Sequence, residues 1–388
     1  MQRFAILIIL FTVACDTSTL PISDDGFTVI DGGGVEGDAD CDGCLEPMDT
    51  EQRSDGVSII GQDIPVIDTG AASEQQRVWS LRTASISGGL ALEKATSTSD
   101  GNPLVCGESG LVRFFTGSEW NNIDTGVDVA IAGCHGTTVQ DIVAVGDQGR
   151  VWRRVGSAWS NEYLVEQSPG LRDVHVQGEN DFIVVGVAGS IYRRDTLGWS
   201  DQSVSTSAVI EAISGVSEQI YATGDQLLLA WNGSEWEQES IPEDPAGTPA
   251  ANQGFRGRDI YVSDSGEAWA VGDSGKVVYR DAQGVWARQD AKWQATAFLH
   301  VFSTEPGLTA LGDKGLYRKF EDGAWTVPTI ESPEFVTEQP PTIWPAERKV
   351  PPQATLSFVG GVGSSDGDIW LFTRTGQWIT YEMDPLNR

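Results

Sequence analysis

The stretch AVGDQGRVWRRVGSAW, at positions 144–159, carries the pattern that decides the fold of this chain. A β-rich run leads into Gly-Asp-x-Gly, a second β-rich run follows, and Gly-x-x-Trp ends the unit. Glycines placed between such runs are typical of tight hairpin turns, because glycine adopts positive φ without steric cost. The pattern therefore predicts consecutive antiparallel strands joined by short turns.

The unit recurs along the chain with a regular period. The first glycines of six copies are 39, 40, 38, 48 and 40 residues apart, and the step to the matching Thr373 is 61 residues. A period near 40 residues is typical of a four-stranded propeller blade. The two long steps contain insertions around 241–253 and 327–353, which we expect in surface loops. The other copies are VCGESGLVRFFTGSEW (105–120), VVGVAGSIYRRDTLGW (184–199), ATGDQLLLAWNGSEW (222–236), AVGDSGKVVYRDAQGVW (270–286), ALGDKGLYRKFEDGAW (310–325) and the degenerate IWLFTRTGQWITYEM (369–383).

These copies predict an all-β fold, a seven-bladed β-propeller of four-stranded blades over residues 75–388. The last copy ends before its fourth strand, so we expect residues 76–84 to supply that strand and close the last blade. Closure of this kind removes a free edge strand. Six or eight blades stay open as alternatives, because the first and last units are poor copies. The repeated tryptophans are expected to pack between blades.

The Gly-Asp-x-Gly and Gly-x-x-Trp units resemble the repeats of bacterial seven-bladed propellers, including photosystem II assembly-factor-like and sialidase-repeat-like domains. The resemblance covers residues 75–388 and implies the propeller fold. The Asp-box of sialidases, S-x-D-x-G-x-x-W in outline, is not reproduced. Because propellers serve both binding and catalysis, the resemblance does not decide the activity.

The N-terminal stretch MQRFAILIILFTVAC, residues 1–15, has the layout of a secretory signal peptide, which we place at 1–14. Its TVAC ending resembles the lipobox of bacterial lipoproteins and implies lipidation of Cys15, although Thr12 stands where that family usually has leucine. Ordinary cleavage and free secretion is the alternative. Residues 15–74 are predicted to be an acidic flexible tether, since they offer little apolar surface to bury.

The net charge of the chain limits the classes of partner that it can bind. The formal net charge is −31, and residues 16–74 alone contain fifteen acidic residues and one arginine. Such a chain should be repelled by nucleic acid, so no nucleic-acid partner is expected. We expect a monomer at the cell envelope, on the exported side, attached to the membrane through its N-terminal lipid. Its expected partner is a protein, peptide or glycan.

Two sets of residues are candidate ligand-binding groups. The recurring acids of the Gly-Asp-x-Gly turns would form an interrupted negative ring around the channel mouth, able to hold a cation or a basic segment; alternatively, each acid stabilises its own turn. Non-repeated polar residues near the central channel form the second set. The acids are Glu108, Asp147, Asp225, Asp273 and Asp313, and the second set is Arg172, His175, Arg256 and His300.

The cysteines and one acidic loop suggest further chemistry. Cys106 and Cys134 lie in neighbouring blades and are predicted to be either a disulfide or two packed thiols, whereas Cys41 and Cys44 favour a local disulfide. No cofactor is expected, with calcium as the alternative because four aspartates occupy positions 1, 3, 5 and 12 of an EF-hand-type loop. Asp instead of Glu at position 12, and Pro47 where an exiting helix should begin, depart from that pattern. The aspartates are Asp38, Asp40, Asp42 and Asp49.

The sequence favours a non-catalytic, envelope-anchored binding scaffold that recognises its partner on one propeller face. The alternative is a hydrolase or lyase acting on extracellular polysaccharide. No phosphate-binding loop or HExxH motif is present in the sequence. An enzyme would need ionisable groups clustered in one pocket, outside the repeat pattern.

Overall fold

The structure of the chain is a computed structural model. It describes residues 77–82, 85–163, 170–246, 248, 253–289, 297–304, 307–312, 317–326, 357–364 and 367–383. Cys15, the tether with Cys41 and Cys44, the four aspartates of the calcium-type loop and Asp313 lie outside these residues, so their roles stay predictions. Among the described residues, no helix has the length and apolar character needed to cross a membrane.

Within the described residues, 28 strands fall into seven antiparallel groups of four, which we number as blades 1–7 in chain order. Blades 2–6 are separate sheets. Blades 1 and 7 meet through one parallel bridge between Ala95 and Gly360 and so share a sheet. The predicted all-β propeller of four-stranded blades is confirmed.

The strands have the following bounds. Blade 1 contains β2 Leu92–Ser97, β3 Pro103–Gly107, β4 Val112–Phe115 and β5 Trp120–Ile123. Blade 2 contains β6 Ile131–Thr138, β7 Asp141–Gly146, β8 Arg150–Val155 and β9 Ala158–Tyr163. Blade 3 contains β10 Leu171–Gly178, β11 Asp181–Gly186, β12 Ile191–Asp195 and β13 Gly198–Asp201. Blade 4 contains β14 Ile210–Val216, β15 Gln219–Gly224, β16 Leu227–Trp231 and β17 Trp236–Gln238.

The remaining blades follow the same order. Blade 5 contains β18 Gly257–Val262, β19 Ala268–Gly272, β20 Val277–Arg280 and β21 Trp286–Arg288. Blade 6 contains β22 Phe298–Ser303, β23 Leu308–Gly312, β24 Tyr317–Glu321 and β25 Ala324–Thr326. Blade 7 contains β26 Phe358–Gly363, β27 Ile369–Thr373, β28 Trp378–Met383 and β1 Arg77–Arg82.

The N-terminal strand closes the last blade, as predicted. β1 pairs antiparallel with β28 over six residues, from Arg77 opposite Met383 to Arg82 opposite Trp378. β28 therefore has hydrogen-bonded neighbours on both sides, β27 and β1. The polypeptide that begins the fold thus completes the four strands of blade 7, with β1 as the outer strand.

The recurring turn joins the second and third strands through backbone contacts. A Cβ on Gly224 would lie 1.9 Å from the carbonyl oxygen of Val209, so only glycine allows this close approach. The N–H of the next residue, Asp225, donates to that same carbonyl at 3.2 Å. Val187 makes the equivalent bond to Gly170 at 3.0 Å in blade 3, which explains why an acidic side chain is dispensable there.

The repeated tryptophans pack between neighbouring blades, as the sequence predicts. Trp199 of blade 3 packs against the apolar cluster between blades 2 and 3 and lies edge-on to Phe182, with ring centroids 5.4 Å apart. Its indole N–H donates to Glu162 of blade 2 at 3.1 Å. The large rings thereby hold successive sheets together.

Cys106 and Cys134 face each other across the junction of blades 1 and 2. Both are buried free thiols in one apolar cluster with Trp152. Burial and the neighbouring thiol of Cys134 raise the pKa of Cys106 well above its ordinary value. In the structure the two side chains pack as thiols, and the raised pKa of Cys106 gives that thiol an apolar character.

Candidate functional site

The first strands of all seven blades line a central cavity of about 340 Å³. Each of these strands has an irregular register between its first and third residues. The third residues therefore occupy equivalent positions around the axis. They are Lys94, Gly133, Asp173, Ala212, Asp259, His300 and Gly360.

Four of these residues form a cluster of ionisable side chains, which we call the floor cluster: Lys94, Asp173, Asp259 and His300. The Lys94 ammonium lies 3.1 Å from Asp173 Oδ2 and 3.7 Å from Asp259 Oδ1. His300 Nδ1 lies 3.7 Å from Asp259 Oδ2. Because blades 3 and 5 are not neighbours of blade 1, Lys94 ties opposite sides of the ring together across its axis.

Backbone groups complete the floor cluster. Asp173 accepts the N–H of Ile213 at 3.1 Å, and Asp259 accepts the N–H of Val301 at 3.0 Å. Buried carboxylates are stable only when hydrogen bonds and a counter-charge replace their hydration. Asp173 and Asp259 each have a backbone hydrogen bond and the counter-charge of Lys94.

The protonation of the floor cluster follows from burial and charge. Burial alone would lower the pKa of Lys94, but Asp173 and Asp259 together raise the pKa above its ordinary value. Burial would raise the pKa of Asp259, yet Lys94 and His300 hold it below the usual range. Burial raises the pKa of Asp173, against the opposing effect of Lys94. Lys94 is therefore a fixed cation rather than a nucleophile or a base.

A pair of histidines lies above the floor cluster. The rings of His135 and His175 stack with centroids 5.5 Å apart and an interplanar angle of 15°. The Nδ1 atom of His135 accepts the N–H of Val176 at 2.9 Å, which places its proton on Nε2. Burial lowers the pKa of His135 to about 4 and that of His175 to about 3. Both imidazoles are neutral at pH 7.

His175 is available to a ligand. Its side chain lines the cavity and belongs to a residue that is only 9% exposed. Within the described residues, its ring nitrogens have no hydrogen-bond partner. A neutral imidazole offers one donor and one acceptor, so His175 can bind a polar group that enters the cavity.

The cavity opens toward one end of the propeller. Each first strand begins at the end of the propeller that carries the turns between second and third strands, which we call the base face. It ends at the opposite end, which carries the turns between first and second strands and which we call the mouth face. The lining extends from the floor cluster to Ser99, Asp264 and Ser303 at the mouth face. Among the described residues, the first and second residues of the first strands do not line the cavity. The floor cluster therefore bounds the cavity on the base side.

The structure separates the sequence-predicted residues between two ends of the propeller. His175 and His300 line the cavity, whereas Arg172 and Arg256 are exposed on the base face. The four recurring acids that the structure describes also lie at base-face turns, opposite the cavity mouth. They are Glu108, Asp147, Asp225 and Asp273.

Three of these acids have partners on the base face. Asp273 accepts two bonds from Arg258, at 2.8 and 3.0 Å, and Asp225 lies 3.3 Å from Arg256. Glu108 accepts the backbone N–H of Ala91 at 3.0 Å. Their role as a ligand-binding ring stays a prediction, on the face that the cavity does not reach.

Lys94, Asp173 and Asp259 were not predicted as site residues from the sequence. The sequence pattern that could have identified them lies at the third position of each first strand, where ionisable side chains are interspersed with glycine and alanine. A Cβ on Gly133 would lie 2.7 Å from the carbonyl oxygen of Arg172 and 3.2 Å from Asp173 Oδ1, so Gly133 makes room for Asp173. Among the described residues, no group of three or more His, Cys, Asp or Glu is arranged to hold a metal ion.

Acidification is expected to destabilise the wild type more than an H135N/H175Q variant. The unfolded state binds protons with a histidine pKa of about 6.5, whereas the folded values are about 4 and about 3. The stabilisation is present above pH ~6.5 and decreases as pH falls toward the folded values, because the unfolded state binds more protons there. Each neutral histidine contributes roughly 2 kcal/mol of this loss at pH 5.

Urea unfolding at pH 7 and pH 5 measures this difference. The Asn side chain at position 135 preserves the acceptor for the Val176 N–H. Equal pH dependence in both proteins would show that the histidines are already protonated in the folded state.

Comparisons with known proteins support the fold. No protein-family model and no curated protein matches the sequence. Among solved structures, YCF48 bound to D1 peptide is 15% identical with a TM-score of 0.58, over 79% of this chain and 96% of that chain. A streptogramin B lyase is 12% identical with a TM-score of 0.58, over 79% of this chain and 98% of that chain.

A third similar structure is the extracellular domain of the putative hybrid two component system BT4673 from B. thetaiotaomicron. It is 13% identical, with a TM-score of 0.56, over 79% of this chain and 39% of that chain. At these identities the likeness shows a shared β-propeller fold. One neighbour holds a peptide and another is a lyase, so function has to be argued from the site itself.

Proposed function

We propose that this protein is a non-catalytic binding scaffold of the cell envelope, anchored through acylated Cys15, which recognises a protein or peptide at the mouth-face cavity. One observation carries the proposal: the cavity is lined at positions where the blades differ from one another. Residues that only build blades recur from copy to copy, as the turn glycines and repeated tryptophans do. A concave site with individually placed polar groups is typical of ligand binding.

The chemistry of the floor cluster supports binding rather than catalysis. Nucleophilic catalysis needs a nucleophile beside a base that can take its proton. Lys94 keeps its proton, and it is bound by Asp173 and lies beside Asp259. These groups satisfy one another and give the cavity a rigid, polar end.

The neighbours are compatible with this role. YCF48 holds a peptide on a similar fold, and the BT4673 domain is extracellular. Export of the present chain is supported by its signal-peptide-like N-terminus and the lipobox-like TVAC at residues 12–15.

Membrane anchoring is tested by intact-mass analysis of the protein in a bacterial membrane fraction. We expect a mass that corresponds to cleavage before Cys15 plus added acyl chains. The Cys15→Ser variant should move to the soluble fraction with no added mass. An unmodified wild-type protein in the soluble fraction would contradict anchoring.

Recognition at the cavity is tested by selecting peptides from a displayed library on the full chain. Ser214 lines the cavity, so Ser214→Trp should obstruct it and abolish binding of the selected peptides. Arg172→Trp, on the base face, is the matched control and should retain binding. The opposite pattern would move the site to the base face, and failure to select any peptide would overturn peptide recognition.

A further inference from the structure

The mouth face carries a set of exposed carboxylates that the repeat pattern does not predict. The turns between first and second strands of blades 1, 3, 4 and 5 contain one exposed acid each, beside the cavity opening. We call them the rim carboxylates; they are Asp100, Glu179, Glu218 and Asp264. In the part of the chain that the structure describes, none of them forms an ion pair.

Several acids on the base face are paired with arginines, in contrast to the rim carboxylates. Arg258 lies 2.8 Å from Asp273 and 3.6 Å from Glu211, and Arg374 lies 2.8 Å from Glu93. The arginines nearest the rim are bound to other acids; Arg193, for example, lies 2.9 Å from Asp181. The rim carboxylates therefore leave uncompensated negative charge around the cavity mouth.

His175 independently indicates that this cavity binds a ligand. Its ring is buried, neutral and without a hydrogen-bond partner among the described residues, and it faces the space below the rim. Buried polar groups are normally hydrogen-bonded. A polar group that enters from the mouth would supply the missing partner.

Apolar side chains on the same face complete a docking surface. The outer ends of the third strands and the turns that follow them also lie on the mouth face, and three large apolar residues are exposed there, on blades 2, 3 and 5. Val155 is 50% exposed, Leu197 95% and Val285 58%.

We propose that the mouth face binds a basic peptide segment. Its cationic side chains pair with the rim carboxylates, and one of its side chains enters the cavity and hydrogen-bonds His175. The apolar turn residues contact the flanks of the segment. This inference rests on the proposed peptide recognition and specifies the chemistry of the partner.

The buried cation below does not oppose this arrangement. Lys94 lies five to six residues before the rim along strand β2 and the turn that follows it, so their separation is on the order of 15 Å at about 3.3 Å per residue. That exceeds the screening length of about 10 Å at 0.1 M salt. Asp173 and Asp259 also compensate its charge.

Fluorescence anisotropy with labelled 12-residue peptides tests the proposal on the full chain in detergent. We expect an alternating Lys-Ser peptide to bind at least tenfold more tightly than a Gln-Ser peptide. Binding should weaken as salt rises, and a Glu-Ser peptide should not bind. Neutralising the rim with D100N/E179Q/E218Q/D264N should weaken Lys-Ser binding at least tenfold, and His175→Phe several-fold.

The matched control neutralises the base face with E108Q/D147N/D225N/D273N, which changes the net charge equally. It should weaken binding less than twofold. Equal weakening by both quadruple variants would overturn the proposal, since attraction would then follow net charge alone. Tighter binding of the Gln-Ser peptide, or displacement of the Lys-Ser peptide by neutral dextran, would also overturn it.

The outcomes separate this inference from the proposed function. If library-selected peptides bind and Ser214→Trp blocks them, but the Lys-Ser peptide does not bind, the basic partner is wrong and peptide recognition stands. If neither selected peptides nor the Lys-Ser peptide bind, both proposals fail.

Discussion

Replacing Lys94 with methionine is expected to lower the free energy of unfolding by about 3–5 kcal/mol at pH 7. Methionine preserves most of the side-chain volume but removes the cation that compensates Asp173 and Asp259, 3.1 and 3.7 Å away. Both carboxylates are buried and belong to different blades, so their repulsion would act across the whole ring. Urea unfolding of both proteins at pH 7 measures the loss.

A compensated variant separates charge from packing. Lys94→Met combined with Asp173→Asn and Asp259→Asn removes all three charges and should recover most of the lost stability, since uncharged replacements of buried ion pairs are often tolerated. The single variant should also regain stability relative to wild type as pH falls and the carboxyls become protonated. A loss below about 1 kcal/mol in the single variant would show that solvent, rather than Lys94, compensates the two acids.

Deleting residues 1–84 is expected to cost on the order of 5 kcal/mol of stability and to cause self-association. The deletion removes β1, which pairs with β28 over six residues. Backbone hydrogen bonds contribute about 1 kcal/mol each. β28 would replace β1 as the edge strand, and exposure of this normally covered strand, which contains the buried Ile379 and Thr380, would recruit other chains. Urea unfolding and sedimentation velocity measure the two effects.

Deletion of residues 1–76 is the matched control, because it leaves β1 intact. This variant should retain wild-type stability and stay monomeric. If both deletions gave the same stability and the same sedimentation coefficient, closure of blade 7 by β1 would contribute nothing in solution.

The sequence predicts the propeller well because each repeated residue meets a structural requirement within its own blade or against the next one. Gly224 is required by the carbonyl of Val209, and Trp199 fills the space between two sheets. Because these steric and packing requirements recur in each blade, they produce a periodic pattern in the sequence. The same argument shows why Val187 breaks the acidic pattern without breaking the turn: its backbone N–H makes the essential bond.

The cavity was harder to predict because its residues are related only through the register of the first strands. Lys94, Asp173 and Asp259 lie tens of residues apart, and nothing local to any of them requires a charge. Only the irregularity after the first residue of each strand places them at one level. His175 and His300 could be assigned to the channel because each lies on a recognisable inner strand.

The pairing of β1 with β28 also orders the events of folding. It joins Arg77 to Met383, roughly three hundred residues away, so β1 has to wait for β28 before it finds its partner. Blades 2–6 consist of consecutive strands and can form while the chain is still emerging from the ribosome. Blade 7 is complete only after β28 has been synthesised, which makes this step a natural target for chaperones and proteases that inspect newly made chains.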